Sequence, residues 1–223
     1  MTALDTAPTT RATRSPATLW RWAGALVLAH VVLLFAGFSH EVVADHSTSP
    51  SKLQHTYGDA NINRVFTGGY VEAMSFVVLV AAVVLVSYLY SRRTTVGRLA
   101  SQTFRSLGIV YAATTLAVGF APGAAAIYAA HHGVDIGAIA MVNDIRNYSY
   151  VLQVAICLAM TLALGVAALA EGINRRWVGV GGVVIGGIGV LAVPFAHNAI
   201  GMVQMIWWVG LGVLCLRARP ESE

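Results

Sequence analysis

From Leu19 onward the chain is built of apolar runs about as long as a bilayer is thick, and arginines gather where those runs stop. A helix needs about 20 apolar residues to cross the hydrocarbon core. Runs of that order occupy 19–38, 68–90, 107–130, 147–170, 177–196 and 199–216. In lipid every backbone N–H and C=O must be satisfied within the chain, so such runs fold as helices. The pattern predicts an all-α fold, a polytopic integral membrane bundle of six transmembrane helices. The last two runs meet at His197-Asn198, just after Pro194, and are expected to form a tight hairpin.

Composition closes the alternative of a soluble domain. The 223 residues are 57% hydrophobic and 11% charged, whereas soluble domains are about 45–50% apolar and about 25% charged. The net charge of +4 does not mark a nucleic-acid surface, because the arginines flank apolar runs in short clusters. The excess of arginine over the single Lys52 reflects a GC-rich genome and carries no functional weight. Cys157 and Cys215 both fall inside apolar runs without metal-ligand spacing, so they are expected to be small core hydrophobes rather than a disulfide.

Orientation follows from the basic residues. Arg11, Arg14, Arg21, Arg92, Arg93, Arg98, Arg105, Arg175, Arg176, Arg217 and Arg219 lie on one side, eleven of the fourteen Lys and Arg. Lys52, Arg64 and Arg146 lie on the other. The positive-inside rule places both termini in the cytoplasm, most simply at a bacterial cytoplasmic membrane. Residues 1–18, rich in Thr, Ala and Pro, are expected to be a disordered cytoplasmic tail, residues 19–216 the transmembrane domain, and 217–223 a second tail. The first run lacks a small-residue cleavage site and is expected to be a retained helix.

This orientation gathers the polar chemistry at the outer face. Three apolar runs end on an aromatic residue followed by histidine: Phe38-Ser39-His40, Tyr128-Ala129-Ala130-His131-His132 and Phe195-Ala196-His197. Imidazole suits copper, zinc and haem iron, so His40, His131, His132 and His197 are candidate metal ligands, with His131, His132 and His197 as the core of a site and His40 or Glu72 completing it. Ordinary interfacial histidines are the plainer account. His46 and His55 are expected to be solvated in the outer loop 39–66. His30, mid-span in the first helix, is a candidate cofactor ligand, or a core histidine bonded by Thr114, Thr115 or Gln204.

Ionisable groups near or inside the spans are the other candidates. Glu72, in GGYVEAMSF, is a catalytic or cation-binding carboxylate, or else a structural partner of Arg146 or Arg64. The segment VNDIRNYSYVLQ (142–153) opens the fourth predicted helix with Asn143, Asp144, Arg146, Asn147, Tyr148, Ser149, Tyr150 and Gln153. Asp144 is placed to cap that helix, and Asp144 and Arg146 join Glu72 as candidate catalytic residues. The polar face can wall a water-filled vestibule or anchor at headgroup depth. Pro122-Gly123 predicts a kink in the third span that frees backbone carbonyls, and Gly182 and Gly186 a close helix approach.

Three functions fit these features. One is a membrane enzyme or electron-transfer protein using copper, zinc or haem at the outer mouth. Another is a small transporter or channel whose pathway is marked by Glu72, His30 and the polar start of the fourth helix. A third is an accessory subunit that docks a membrane or extracytoplasmic protein partner through loop 39–66. The lipid bilayer is the surrounding medium in each, and no nucleic-acid module is present.

Overall fold

A computed structural model describes residues 16–42, 44–45, 47–91, 93–173 and 176–217. Most of the two predicted tails and His46 lie outside the described residues. The elements are α1 (Pro16–Phe38), α2 (Pro50–Gly58), α3 (Ile62–Leu89), α4 (Thr95–Thr114), a π-helical turn (Thr115–Phe120), α5 (Ala121–His131), α6 (Ile136–Glu171) and α7 (Arg176–Leu216), with no strand among the described residues. Five helical stretches are long and apolar enough to cross a membrane: Ala17–Phe38, Ile62–Leu89, Thr95–His131, Ile136–Glu171 and Arg176–Leu216.

The two last predicted runs thus share one helical element, but α7 is not straight. Ala196 leaves helical geometry at φ −148°, ψ 33°, just after Pro194. A Cβ built on Gly210 would lie 2.9 Å from the Trp177 ring, one on Gly181 3.2 Å from Trp207 Nε1, and one on Gly189 3.1 Å from Ile200 Cγ2. Partners converge toward residue 196 from both sides, so α7 is a hairpin of two antiparallel arms. Proline cannot donate the helical N–H and its ring crowds the preceding turn, which explains the reversal there.

The long helices close a ring in which α1 packs on α3, α3 on α4, α4 on α6, α6 on α7, and α7 back on α1. Small residues set the spacing. A Cβ on Gly186 would meet backbone of Leu158 and Leu162 at 2.5–2.7 Å, and one on Gly165 the backbone of Gly182 and Val183. This is the close approach expected of Gly182 and Gly186, made between the first arm of α7 and α6. Packing and hydrogen bonding, not hydrophobic exclusion, hold helices together in lipid.

The opposite end of the ring from the histidines is closed. The Glu171 carboxylate accepts hydrogen bonds from Arg93 N (2.7 Å), Thr94 N (2.9 Å) and Thr94 Oγ1 (2.9 Å). An acidic group suits a helix N-terminus, where unpaired N–H groups concentrate positive potential, and here α6 caps α4. Phe104 stacks near Trp208 above this point, and Tyr90 and Leu89 are fully buried.

The predicted boundaries shift most at the histidine end. The fourth predicted helix starts at Ile136, not 147, and its cap is Asp135, whose side chain accepts from Gly137 N and Ala138 N. Asp144 lies well inside α6 and caps nothing. The expected loop 39–66 carries α2 and the first turn of α3. Its Ala44, Leu53, Tyr57 and Ala60 bury against Ala126, Ile127, Ala130 and Ile139 as a second small core. The loop is a cap folded onto α5 and α6.

Candidate functional site: a cavity with an acidic mouth

Under this cap lies a cavity of about 1530 Å3. Asp45, Asp144 and Tyr148 stand at its mouth, Glu41, Glu72 and Arg146 on its wall, and Tyr111, Cys157 and Gln204 at its floor. Four features of the local sequence build it.

The first is a glycine crossing. A Cβ on Gly37 would lie 2.6 Å from Glu72 N and 2.7 Å from the Gly68 carbonyl, and one on Gly68 2.6 Å from His40 Cβ. Because neither residue has a side chain, α1 lies directly on α3, and the chain leaving α1 carries Glu41 over Glu72. The Glu72 carboxyl group comes within hydrogen-bonding reach of Glu41.

The second is an ion pair from the far side of the ring. Arg146 Nη2 donates to Glu41 Oε2 at 2.8 Å, with side-chain exposures of 17% and 11%. Its aliphatic stem runs over Gly123, where a Cβ would meet Arg146 Nε at 3.0 Å. Glu72 makes no direct hydrogen-bonded ion pair with Arg146 or Arg64, although the Arg146 charge still acts on it. Arg146 pairs with Glu41, and Arg64 is exposed near the α3 N-terminus. Glu72 is only 9% exposed, and its Oε2 has no hydrogen-bond partner.

The third is the π-helical turn. Pro122 has no N–H to offer the carbonyl four residues back, that of Val118. Ser149 Oγ comes within 3.0 Å of that carbonyl, sharing its one proton between it and the Arg146 carbonyl at 2.7 Å, and Gln153 Nε2 donates to Ser149 Oγ at 3.2 Å. The kink expected at Pro122-Gly123 takes this form, displaced one turn toward the N-terminus. Single π turns are widened places in a helix and recur at functional sites. Here Thr115, Leu116, Gly119 and Phe120 of the turn line the cavity.

The fourth is the floor. Gln204 Nε2 donates to Cys157 Sγ and Thr161 Oγ1, each at 2.8 Å, and Trp208 Nε1 reaches Thr161 Oγ1 at 3.3 Å. Tyr111 is in hydrogen-bonding reach of Cys157. These groups join α4, α6 and the second arm of α7. Both cysteines are free and buried, as expected.

The polar opening of the fourth predicted helix has a divided role. Asn143 Oδ1 accepts from Tyr57 Oη at 2.6 Å and Asn147 Nδ2 donates to the Ala44 carbonyl at 3.2 Å, so part of it fastens the cap. Arg146, Tyr150 and Gln153 line the cavity.

The histidines do not converge. His40 Nδ1 donates to the Ala36 carbonyl of its own helix at 2.9 Å, His131 Nε2 to Ala60 at 3.0 Å, and His132 Nδ1 to Tyr128 at 2.8 Å with its ring stacked on that tyrosine. His197 stands apart, edge-on to Tyr150 at 5.7 Å and lining the cavity. Among the described residues no group of three or more His, Cys, Asp or Glu is placed to hold a metal ion. The structure does not bring the expected set His40, His131, His132 and His197 together: each helix end turns its imidazole back to a nearby carbonyl or to a different wall. His30 Nδ1 donates to the Ser75 carbonyl at 2.9 Å, whereas Thr114 and Thr115 bond carbonyls of their own helix and Gln204 serves the floor. It is a core histidine, packed edge-on to Phe76 at 5.6 Å.

Glu41 was not a sequence candidate, nor were Tyr111 and Cys157. The one local signal for Glu41 was the pair Gly37 and Gly68, whose meaning depends on which helices meet. No family model, curated protein or solved structure matches this chain.

Proposed function

We propose that the protein is a six-span carrier of the bacterial cytoplasmic membrane, with both termini inside, that admits a small solute from the outer face into the cavity at Glu72. The observation that supports this reading is the cavity itself, reaching from the acidic mouth to Gln204 with a buried, unpartnered carboxyl oxygen on its wall. Ionisable groups at membrane depth are costly and mark solute or ion paths. The bundle beyond Gln204 is filled by Met160, Leu164, Trp208 and Leu211, so the cavity opens to one side only. That favours a carrier, which exposes its site alternately, over an open channel. The two arms of α7 give an even number of crossings, consistent with the arginine asymmetry.

Entry is tested by placing a cysteine at Ala73, a half-buried lining residue one position past Glu72. A small membrane-impermeant cationic thiol reagent added outside intact cells should modify it above the level seen in the unsubstituted protein, whose Cys157 lines the cavity floor. An unmodified Ala73→Cys would overturn the reading.

A further inference from the structure

The solute class can be read from the charge and the walls around Glu72, taking the cavity as a solute site. Two carboxyl groups, Glu41 and Glu72, face one guanidinium, Arg146. Arg146 satisfies Glu41 Oε2, which leaves the Glu72 oxygen without a partner and the trio one positive charge short. Carboxyl groups in contact cannot both stay charged without a proton or a cation between them. The remaining polar groups facing the trio do not supply it. Asp144 at the mouth adds negative charge, Tyr111, Tyr148 and Tyr150 offer phenols, His197 on α7 stands edge-on to Tyr150, and His30 is bonded to the Ser75 carbonyl behind Phe76.

The walls exclude most other occupants. Phe76, one helical turn beyond Glu72 on the same face of α3, packs edge-on against Tyr111 at 5.5 Å and Phe120 at 6.1 Å. Leu116, Val154 and Met205 complete an apolar body to the cavity. A hard divalent ion requires six or more oxygen ligands, which one carboxyl pair beside a guanidinium does not offer. An anion would meet two carboxylates. An organic cation has what the site lacks: one charge for Glu72, and an apolar body for the aromatic faces, which attract cations through their ring quadrupoles.

We propose that the cavity takes an amphipathic organic monocation, its charge at Glu72 Oε2 and its apolar body against Phe76, Phe120 and Tyr111, in exchange for the proton shared by Glu41 and Glu72. The charge balance is complete: one cation enters, one proton leaves to the water at the mouth, and the trio together with its occupant stays neutral. Rising pH therefore favours the cation and falling pH expels it.

Tetraphenylphosphonium is a suitable probe, because tetraphenylborate has the same shape and the opposite charge. Calorimetric titration of the purified protein in two buffers of different ionisation enthalpy should show saturable cation binding with close to one proton released. Affinity should rise about tenfold per pH unit while the pair is protonated. Tetraphenylborate should bind at least tenfold more weakly. Glu72→Gln, which leaves one carboxylate against one guanidinium, should weaken cation binding tenfold or more. Equal binding of the two ions, cation binding without proton release, or a folded Glu72→Gln protein that binds like the original would each overturn the exchange. Those outcomes leave the cavity as a solute site, which fails separately if Ala73→Cys is inaccessible. The proton count on the unsubstituted protein decides the matter even where the variant is unstable.

Discussion

Glu41 and Glu72 differ in what they do for the fold, although both are acidic and their side chains touch. Glu41 neutralises Arg146 in a mostly enclosed pair, and removing one partner of such a pair leaves the other charge stranded. Glu41→Gln should destabilise the purified protein by about 3 kcal/mol, seen as a lowered thermal midpoint, and Glu41→Gln with Arg146→Gln should recover most of the loss. Glu72→Gln should be neutral or stabilising, because the amide can donate to Glu41 and the direct Glu41–Arg146 pair is kept. A Glu72→Gln protein as unstable as Glu41→Gln would mean that Glu72 is a structural anchor. The sequence makes Glu72 conspicuous, since it sits four residues inside an apolar run. It hides Glu41, which looks like any loop acid until α1 and α3 cross at Gly37 and Gly68.

Among the elements, α7 shows how adjacent glycines can have opposite meanings. A Cβ on Gly186 would meet α6 backbone at 2.5–2.7 Å, whereas one on Gly187 would meet nothing within 4 Å. Gly186→Ala should cost about 1–3 kcal/mol through overpacking, while Gly187→Ala should stabilise by up to about 1 kcal/mol through helix propensity. Thermal midpoints of the two single variants in the same detergent check this, and equal values would refute the close helix approach. The GxxxG spacing of Gly182 and Gly186 pointed to the right face. The π turn was less legible, because Pro122 predicts a disturbed helix but not that Ser149, on another helix, takes the Val118 carbonyl.

For the whole molecule, the proposed six-crossing arrangement makes a sharp demand on residue 198. If α7 is a membrane hairpin, a cysteine at Asn198 lies on the same side as one at Ser51 in the cap, and one at Thr95 lies opposite. All three positions are exposed, and both native cysteines are buried. A membrane-impermeant maleimide should label Asn198→Cys and Ser51→Cys in intact cells, and Thr95→Cys only after permeabilisation. Protection of Asn198→Cys with labelling of Ser51→Cys would place the α7 turn within the membrane, make α7 a re-entrant hairpin and reduce the crossings to four.

The sequence alone determined that the chain is helical, where most of its apolar runs lie, and which residues are costly at membrane depth. These are local properties: hydropathy is summed over about twenty consecutive residues, and helical hydrogen bonds close within four. Tertiary structure decided the site. Glu41 and Arg146 are 105 residues apart, Tyr57 and Asn143 are 86 apart, and Gln204 lies 47 from Cys157. No periodicity encodes such pairs, because they depend on which helix faces meet. For the same reason the four histidines, each following an apolar run, are not brought together. The end of each helix aims its side chain separately: His40, His131 and His132 each donate to a nearby backbone carbonyl, while His197 stands edge-on to Tyr150.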